Sequence, residues 1–217
     1  MLFKMNILSL HPELSPFIGK QYRNAPCKVL FVGESHYLPS AYDNRIGAEW
    51  YSQSTASYGF TSEALAYLNT AQIICNDVIV SDFKNKSHSI YRNIGNVYGE
   101  VFGKGDYRSA LEFVAFSNYF LRPAEVCGGS IVVNDTDAKV SYWHLTELYK
   151  QLQPQWIIFV SKKAYETFCN VCKDTSLFNK SEVLPHPSCA WWNTPSASYG
   201  NLSGKEKLKR LLNSHHL

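Results

Sequence analysis

Short apolar runs that alternate with segments of helical periodicity are the feature that most constrains how this chain folds. Four runs are rich in Val, Ile and Phe and have the length of buried strands: Lys28–Gly33, Leu111–Asn118, Gln155–Ser161 and Ser181–Leu184. A fifth apolar run, Ser130–Val133, is too short to place. Strands that are apolar on both faces predict a central, mostly parallel sheet of four strands.

Five further segments have apolar residues at helical spacing. They are Ser62–Ile74, Ile90–Phe102, Asp135–Leu152, Lys162–Lys173 and Ser203–Ser214. In the last segment Glu206 follows Ser203 by three positions, which is the spacing of a capping box at a helix N-terminus. Strands that alternate with helices predict an α/β fold, a three-layer α/β/α sandwich around the sheet.

The length of 217 residues favours one domain over two. We expect a lead-in over residues 1–27 that packs on one domain over residues 28–217. With 45% hydrophobic and 18% charged residues, the chain is expected to be globular, and its net charge of +3 does not by itself indicate a nucleic-acid partner. The composition leaves the aromatic content of 14 Tyr, 12 Phe and 5 Trp unexplained.

Neither a membrane span nor a metal site is predicted from the sequence. No apolar run approaches the ~20 residues that cross a bilayer, and Met1–Leu10 contains Lys4 and Asn6. We therefore expect a cytoplasmic protein without a membrane partner. The six cysteines are expected to be reduced thiols, because only Cys169 and Cys172 are closely spaced and a four-thiolate site needs a second such pair. We predict no metal and no cofactor.

Parallel α/β sheets bind ligands outside the carboxyl ends of their strands, so the loops after the predicted strands are the candidate site. The first loop, Gly33–Pro39 (GESHYLP), brings together a carboxylate, a hydroxyl, an imidazole and a phenol. Asn118 ends the next strand, and its amide offers one donor and one acceptor, enough to bind the edge of a nucleobase. The alternatives are a polar loop that caps a turn and an Asn that initiates one.

The segment Val183–Asn193 (VLPHPSCAWWN) carries the strongest functional signal. Prolines on both sides of His186 fix the backbone, so the imidazole is held on a stiff loop at the end of a predicted strand. A structural histidine is the alternative. Trp191 and Trp192 follow, and exposed rings of this size are unfavourable unless they stack or pack against a partner.

In their order and spacing, these segments resemble the uracil-DNA glycosylase superfamily over about residues 28–212. The first is similar to the family motifs Gly-Glu-Ala-Pro-Gly and Gly-Gln-Asp-Pro-Tyr, and the last is the family's His-Pro-Ser motif. The five matching segments are Val32–His36 (VGESH), Tyr58–Thr61 (YGFT), Phe116–Pro123 (FSNYFLRP), Leu152–Ile158 (LQPQWII) and His186–Ser188 (HPS).

The resemblance implies a DNA glycosylase-like hydrolase that excises uracil or another deaminated base by hydrolysing its N-glycosidic bond. The base, extruded from the stack, would be held by Phe60, Asn118, Tyr37 and His36. His186 would stabilise the leaving base anion by a hydrogen bond, and Glu34 or Ser35 would handle the attacking water.

The resemblance also implies DNA containing uracil or a damaged base as the partner of a monomeric protein. The residues that would contact DNA are Ser188, which would bind a phosphate, Trp191 and Trp192 on the loop that probes the duplex, and Arg122. The C-terminal helix is predicted to carry four basic residues, which form either a basic DNA-facing surface or a solvated helix face: Lys205, Lys207, Lys209 and Arg210.

Two residues depart from the family pattern and leave the function open. Ser35 stands where the most active members have an Asp or Asn that positions water, and His36 stands where they have Pro. A non-catalytic relative that binds a nucleobase, a nucleotide or a nucleic acid is therefore a second hypothesis. A Ser/His esterase that uses Ser35 or Ser188 is a third, although the Gly-x-Ser-x-Gly elbow of such enzymes is absent.

Overall fold

The computed structural model describes residues 7–214, so Lys4 and Asn6 lie outside the described residues. A sheet in the order β1-β3-β2-β4-β5 is its centre. The strands are β1 Phe17–Ile18, β2 Val29–Gly33, β3 Ala115–Asn118, β4 Trp156–Phe159 and β5 Ser181–Val183. The predicted α/β class and the four predicted strands, which are parallel to one another, are confirmed. The predicted strand count is wrong, because β1 adds a fifth strand, antiparallel to β3, from within residues 1–27.

Helices connect these strands and cover the sheet. They are α1 Ile7–Leu10, α2 Ser62–Leu68, α3 Thr70–Gln72, α4 Ser89–Phe102, α5 Tyr107–Leu111, α6 Asp135–Leu152, α7 Lys162–Val171, α8 Thr175–Asn179 and α9 Gly204–Asn213. A π-helix, Ile73–Val80, follows α3 directly. The predicted capping box of α9 is present, since the Ser203 hydroxyl accepts from the Glu206 N–H and the Glu206 carboxylate accepts from the Ser203 N–H.

Alternate residues of the central strand β2 point to opposite faces of the sheet, and each face has its own core. Val29 and Phe31 pack with residues of α4 and α9 in one cluster of buried side chains. Leu30 and Val32 pack with residues of α6 and α7 in another. Helices therefore lie on both sides of the sheet. Within residues 7–214, no helix combines the length and the hydropathy that crossing a membrane requires.

Two predicted elements differ from the structure. The helix predicted over Ser62–Ile74 is divided at Asn69, whose backbone leaves the helical region (φ −96°, ψ 72°) while its side chain caps α3. The strand predicted over Leu111–Asn118 begins only at Ala115, because Leu111 ends α5. The segment Ser130–Val133, which the sequence left unplaced, has no regular secondary structure.

Candidate functional site

An open cleft of about 1100 Å³ lies at the carboxyl ends of the four parallel strands. Its lining includes the residues that end or follow each strand: Gly33 to Tyr37 after β2, Asn118 at the end of β3, Ser161 after β4, and His186 after β5. The loops predicted to form a site therefore converge on one cleft, as the geometry of parallel sheets requires.

Asn118 lies directly against the backbone of Gly33. The two residues are register partners at the ends of β3 and β2, and a Cβ atom at position 33 would collide with Oδ1 of Asn118. The Phe116 ring lies beside them and meets the Tyr91 ring edge to face, with centroids 5.2 Å apart. The missing side chain of Gly33 thus creates the space that the Asn118 amide occupies, next to two aromatic rings of the cleft.

The Glu34 carboxylate is held by two hydroxyl groups from distant parts of the chain. Ser130 donates to Oε1, and Ser161 donates to Oε2 at 2.7 Å. Ser161 also caps α7, because its Oγ accepts from the backbone N–H of Ala164 at 3.2 Å. Neither serine was predicted from the sequence to be a site residue. The position of Ser161 between a strand and a helix signalled a cap, whereas nothing in the sequence placed Ser130 beside Glu34.

His186 lies in the cleft with one ring nitrogen already occupied. Its Nδ1 accepts a hydrogen bond from the backbone N–H of Ser188 at 3.2 Å. A neutral imidazole that accepts at Nδ1 carries its proton on Nε2. Desolvation lowers the pKa of His186, and the negative charge of Glu34 partly opposes this effect. The neutral ring with an Nε2–H donor is therefore the form favoured at neutral pH.

The loop that carries His186 is attached to the first turns of α4. Asn93 donates from Nδ2 to the carbonyl oxygen of Pro187 at 2.7 Å. The hydroxyls of Ser89 and Ser188 form a hydrogen bond of 2.6 Å. Ser188 itself lines the cleft. The loop that carries His186 is thus held by α4 as well as by the flanking prolines.

Ser35, His36 and Tyr37 also line the cleft, as the sequence analysis expected for this loop. His36 is 5% exposed, and this burial lowers the pKa of His36 to about 4 against the opposing effect of a hydrogen bond to the Tyr67 backbone. Burial also raises the pKa of Tyr37, whose ring meets that of Tyr67 edge to face. Both side chains are therefore uncharged at neutral pH.

Phe60 does not line the cleft, so its placement does not fit the expected stacking on a flipped base. Its ring stacks on Tyr58 with centroids 5.4 Å apart and meets Tyr42 edge to face. These rings pack against the cluster around the fully buried Trp50. Phe116 and Tyr91, which the sequence analysis did not single out, are aromatic residues of the cleft itself.

Arg122 is buried, and its placement corrects the expectation that it contacts DNA. It is 2% exposed and forms ion pairs with Asp137 at 2.8 Å and with Glu125 at 2.7 Å. Its Nη2 also donates to the carbonyl oxygen of Val132 at 2.9 Å. The guanidinium is therefore used inside the protein and is not available to a phosphate.

The two adjacent tryptophans have opposite environments. Trp192 is fully buried and lies so close to Gly204 that a Cβ atom there would be 2.5 Å from its ring. The expected DNA contact of Trp192 is therefore wrong, since this ring belongs to the core. Trp191 is 50% exposed, so its ring is available to a partner.

The lysines of α9 are largely used within the protein. Lys207 forms an ion pair with Glu182 at 2.9 Å, and Lys209 forms one with Glu100. This placement fits the solvated helix face better than a basic DNA-facing surface. Within residues 7–214, no cluster of His, Cys, Asp or Glu could hold a metal ion.

A scan against protein-family models finds no match for the chain, and a search of curated proteins finds none. The resemblance to the uracil-DNA glycosylase superfamily therefore rests on the residues described above.

Proposed function

We propose that this protein is a DNA glycosylase-like hydrolase that binds an extruded nucleobase in the cleft and hydrolyses its N-glycosidic bond. One observation carries the proposal: the Asn118 amide, the His186 imidazole and the Glu34 carboxylate all line the same open cleft. These groups match the three requirements of base excision, which are recognition of the base, stabilisation of the leaving group and a negative charge near the reacting sugar.

Asn118 supplies recognition of the base. An amide side chain presents a donor and an acceptor together, as required by the adjacent carbonyl and N–H groups of uracil. The Oδ1 atom of Asn118 lies against Gly33, which limits where this amide lies. The nearby Phe116 ring supports the apolar part of this pocket.

His186 stabilises the leaving group. In hydrolysis, the water oxygen bonds to C1′ of the sugar and one water proton is removed, while the electrons of the C1′–N bond leave with the base. The base anion carries much of its charge on a carbonyl oxygen, which accepts a hydrogen bond from Nε2–H. Loss of one such donor typically lowers the rate by about 10²- to 10³-fold.

Glu34 supplies the negative charge. The sugar becomes cationic as the C1′–N bond breaks, and a carboxylate in the cleft favours that charge. Both oxygens of Glu34 accept hydroxyl hydrogen bonds, yet each retains a lone pair that can accept a proton from water. Ser35 has no carboxylate, so Glu34 instead stabilises the cationic sugar and accepts the proton from water.

A protein that binds a nucleobase or nucleotide without catalysis is the second candidate. Ser35 favours it, because this residue lines the cleft where the most active members of the resembling family carry Asp or Asn. The esterase hypothesis has less support. Within the described chain, no hydrogen bond joins His186 to the hydroxyl of Ser35 or Ser188, and the Ser188 hydroxyl bonds to Ser89.

The test is incubation of the protein with single- and double-stranded oligonucleotides that contain uracil, hypoxanthine or xanthine, followed by alkali. We expect strand breaks at one of these bases, with a loss of about 10²-fold or more in His186→Ala. If no strand breaks occur but the protein binds the free base, and Asn118→Ala weakens this binding, the non-catalytic binder is supported instead. If the protein neither cleaves these oligonucleotides nor binds the free base, both candidates are contradicted.

A further inference from the structure

Hydroxyl groups, rather than a cation, hold the Glu34 carboxylate in the cleft. Each oxygen accepts from one serine, Oε1 from Ser130 and Oε2 from Ser161. Among residues 7–214, Glu34 forms no ion pair with Lys, Arg or His. The carboxylate is thus fixed in orientation without an ion-pair partner that would neutralise its charge.

Ser161 is itself rigidly placed. It is 7% exposed and lies between β4 and α7 as the N-cap of that helix. Because its oxygen accepts from the Ala164 N–H at 3.2 Å, its proton is directed to the other side, where it meets Glu34 at 2.7 Å. The start of α7 therefore defines the position of one carboxylate oxygen.

Ser130 is exposed, but the loop that carries it is attached to a buried ion-pair network. Arg122 donates to the Val132 carbonyl at 2.9 Å, and the Glu125 carboxylate accepts from the Val132 N–H at 2.8 Å. The backbone N–H of Cys127 donates to Asp43 at 2.8 Å. These bonds hold both sides of the loop, so Ser130 meets Glu34 from a defined direction.

We propose that Ser130 and Ser161 are positioning residues that fix the Glu34 carboxylate in the cleft near His186. The structural part of this proposal stands on the hydrogen bonds alone. Its catalytic consequence rests on the proposed function, because only a glycosylase needs that charge at the reacting sugar. Arg122 then contributes indirectly, through the loop that carries Ser130.

The test is an NMR pH titration of the His186 imidazole in the full-length protein, which reports the Glu34 charge without any substrate. Glu34→Gln sets the reference, and we expect it to lower the pKa of His186 because the opposing negative charge is lost. Ser130→Ala and Ser161→Gly are expected to shift the pKa in the same direction, and the double variant to approach the reference. Unchanged values in both serine variants would overturn the proposal.

Two controls make the titration specific. Gly is chosen at position 161 because it is tolerated at helix N-caps, and Ser161→Thr, which keeps the hydroxyl, should restore the wild-type value. In the Glu34→Gln background the serine variants should have no effect, and an effect there would also overturn the proposal. None of the variants substitutes the other titratable side chains that line the cleft, which are His36, Tyr37, Tyr67, Asp77, Lys86, His88, Tyr91, Lys162, Lys163 and Tyr199.

The catalytic consequence is measured separately. If the protein cleaves DNA, Ser161→Gly should lower kcat by roughly 10- to 100-fold with little change in KM, since a misplaced group affects the chemical step rather than binding. Ser161→Thr should recover most of the loss, and a KM effect alone would contradict this role. An inactive wild-type protein would refute the proposed function, while the titration would still decide whether the serines position Glu34.

Discussion

Gly33 shows how a single missing side chain shapes the cleft. A methyl group at this position would collide with Oδ1 of Asn118 and lie 3.1 Å from the tip of the Phe116 ring. Gly33→Ala should therefore displace the Asn118 amide while the strand itself persists, because the backbone of β2 stays extended. We expect a loss of nucleobase affinity comparable to that of Asn118→Ala, measured by calorimetry with the free base.

The control for this prediction is the double variant. If the effect of Gly33→Ala acts through Asn118, adding it to Asn118→Ala should weaken base affinity no further. Additive losses would show that Gly33 acts on the cleft by another route. A fall in affinity with complete unfolding, seen by circular dichroism, would instead assign Gly33 a purely structural role.

Individual site residues differ in how well the sequence predicted their positions. Asn118 and His186 were predicted to lie at strand ends, and chain connectivity alone brings such ends to one edge of the sheet. Trp192 lies in the core and Phe60 lies outside the cleft, positions that the sequence did not reveal because an aromatic ring suits a core as well as a cleft. Which environment a ring enters depends on packing, and for Trp192 it depends on the space above Gly204.

At the scale of elements, the loop that follows β5 contains two adjacent rings with separate roles. Trp192→Ala should lower the free energy of unfolding by about 3–5 kcal/mol, because it removes a fully buried indole from the core. Trp191→Ala should change it by less than about 0.5 kcal/mol, because half of that side chain is exposed. Urea denaturation of the two variants measures both values.

Measurements of DNA binding test the role of Trp191. We expect Trp191→Ala to weaken binding of an oligonucleotide in fluorescence anisotropy, since an exposed ring on this loop is the available stacking group. Phe178→Ala is a matched control, because Phe178 is 43% exposed but lies in α8, before β5, and not on the loop that follows β5. Equal losses in both variants would contradict a specific role for Trp191.

The element boundaries that the sequence missed have local physical causes. Asn69 interrupts a helical pattern because its side chain bonds to the Gln72 backbone and offers the chain an alternative to continuing the helix. Strand β1 has only two residues and depends on pairing with β3 for its existence. A signal of that length is too short for periodicity to detect.

At the scale of the whole molecule, buried histidines make stability sensitive to acid. Burial lowers the pKa of His36 and of His144 to about 4. Between about pH 6.5 and pH 4 the unfolded chain therefore binds protons that the folded chain does not, so stability is complete above this range and falls as pH decreases. Between pH 7 and pH 5, each of the two histidines should lower the free energy of unfolding by on the order of 2 kcal/mol.

Urea denaturation at the two pH values checks this prediction. His144→Leu should reduce the difference between pH 7 and pH 5 by on the order of 2 kcal/mol. The substitution breaks no hydrogen bond at Nε2, because this atom has no partner among residues 7–214. A pH difference equal to that of the wild-type protein would show that His144 does not titrate in this way.

The fold class and the convergence of the strand-end loops on one cleft were both predicted from the sequence, because alternating strands and helices dictate a parallel sheet whose strands end at one edge. The contacts that organise the site were not predicted. Glu34 and Ser130 are 96 positions apart, and their hydrogen bond depends on a loop held by the buried Arg122. Such contacts are set by three-dimensional packing, which periodicity does not encode.

The most direct measurement of the central claim is the release of free base under single-turnover conditions. Protein in excess is incubated with an oligonucleotide that contains uracil, hypoxanthine or xanthine, and the free base is quantified by chromatography. The account predicts stoichiometric release by the wild-type protein and a rate lower by about 10²-fold or more in a folded His186→Ala variant. The account is contradicted if the wild-type protein releases none of the three bases, uracil, hypoxanthine or xanthine, faster than the His186→Ala variant does.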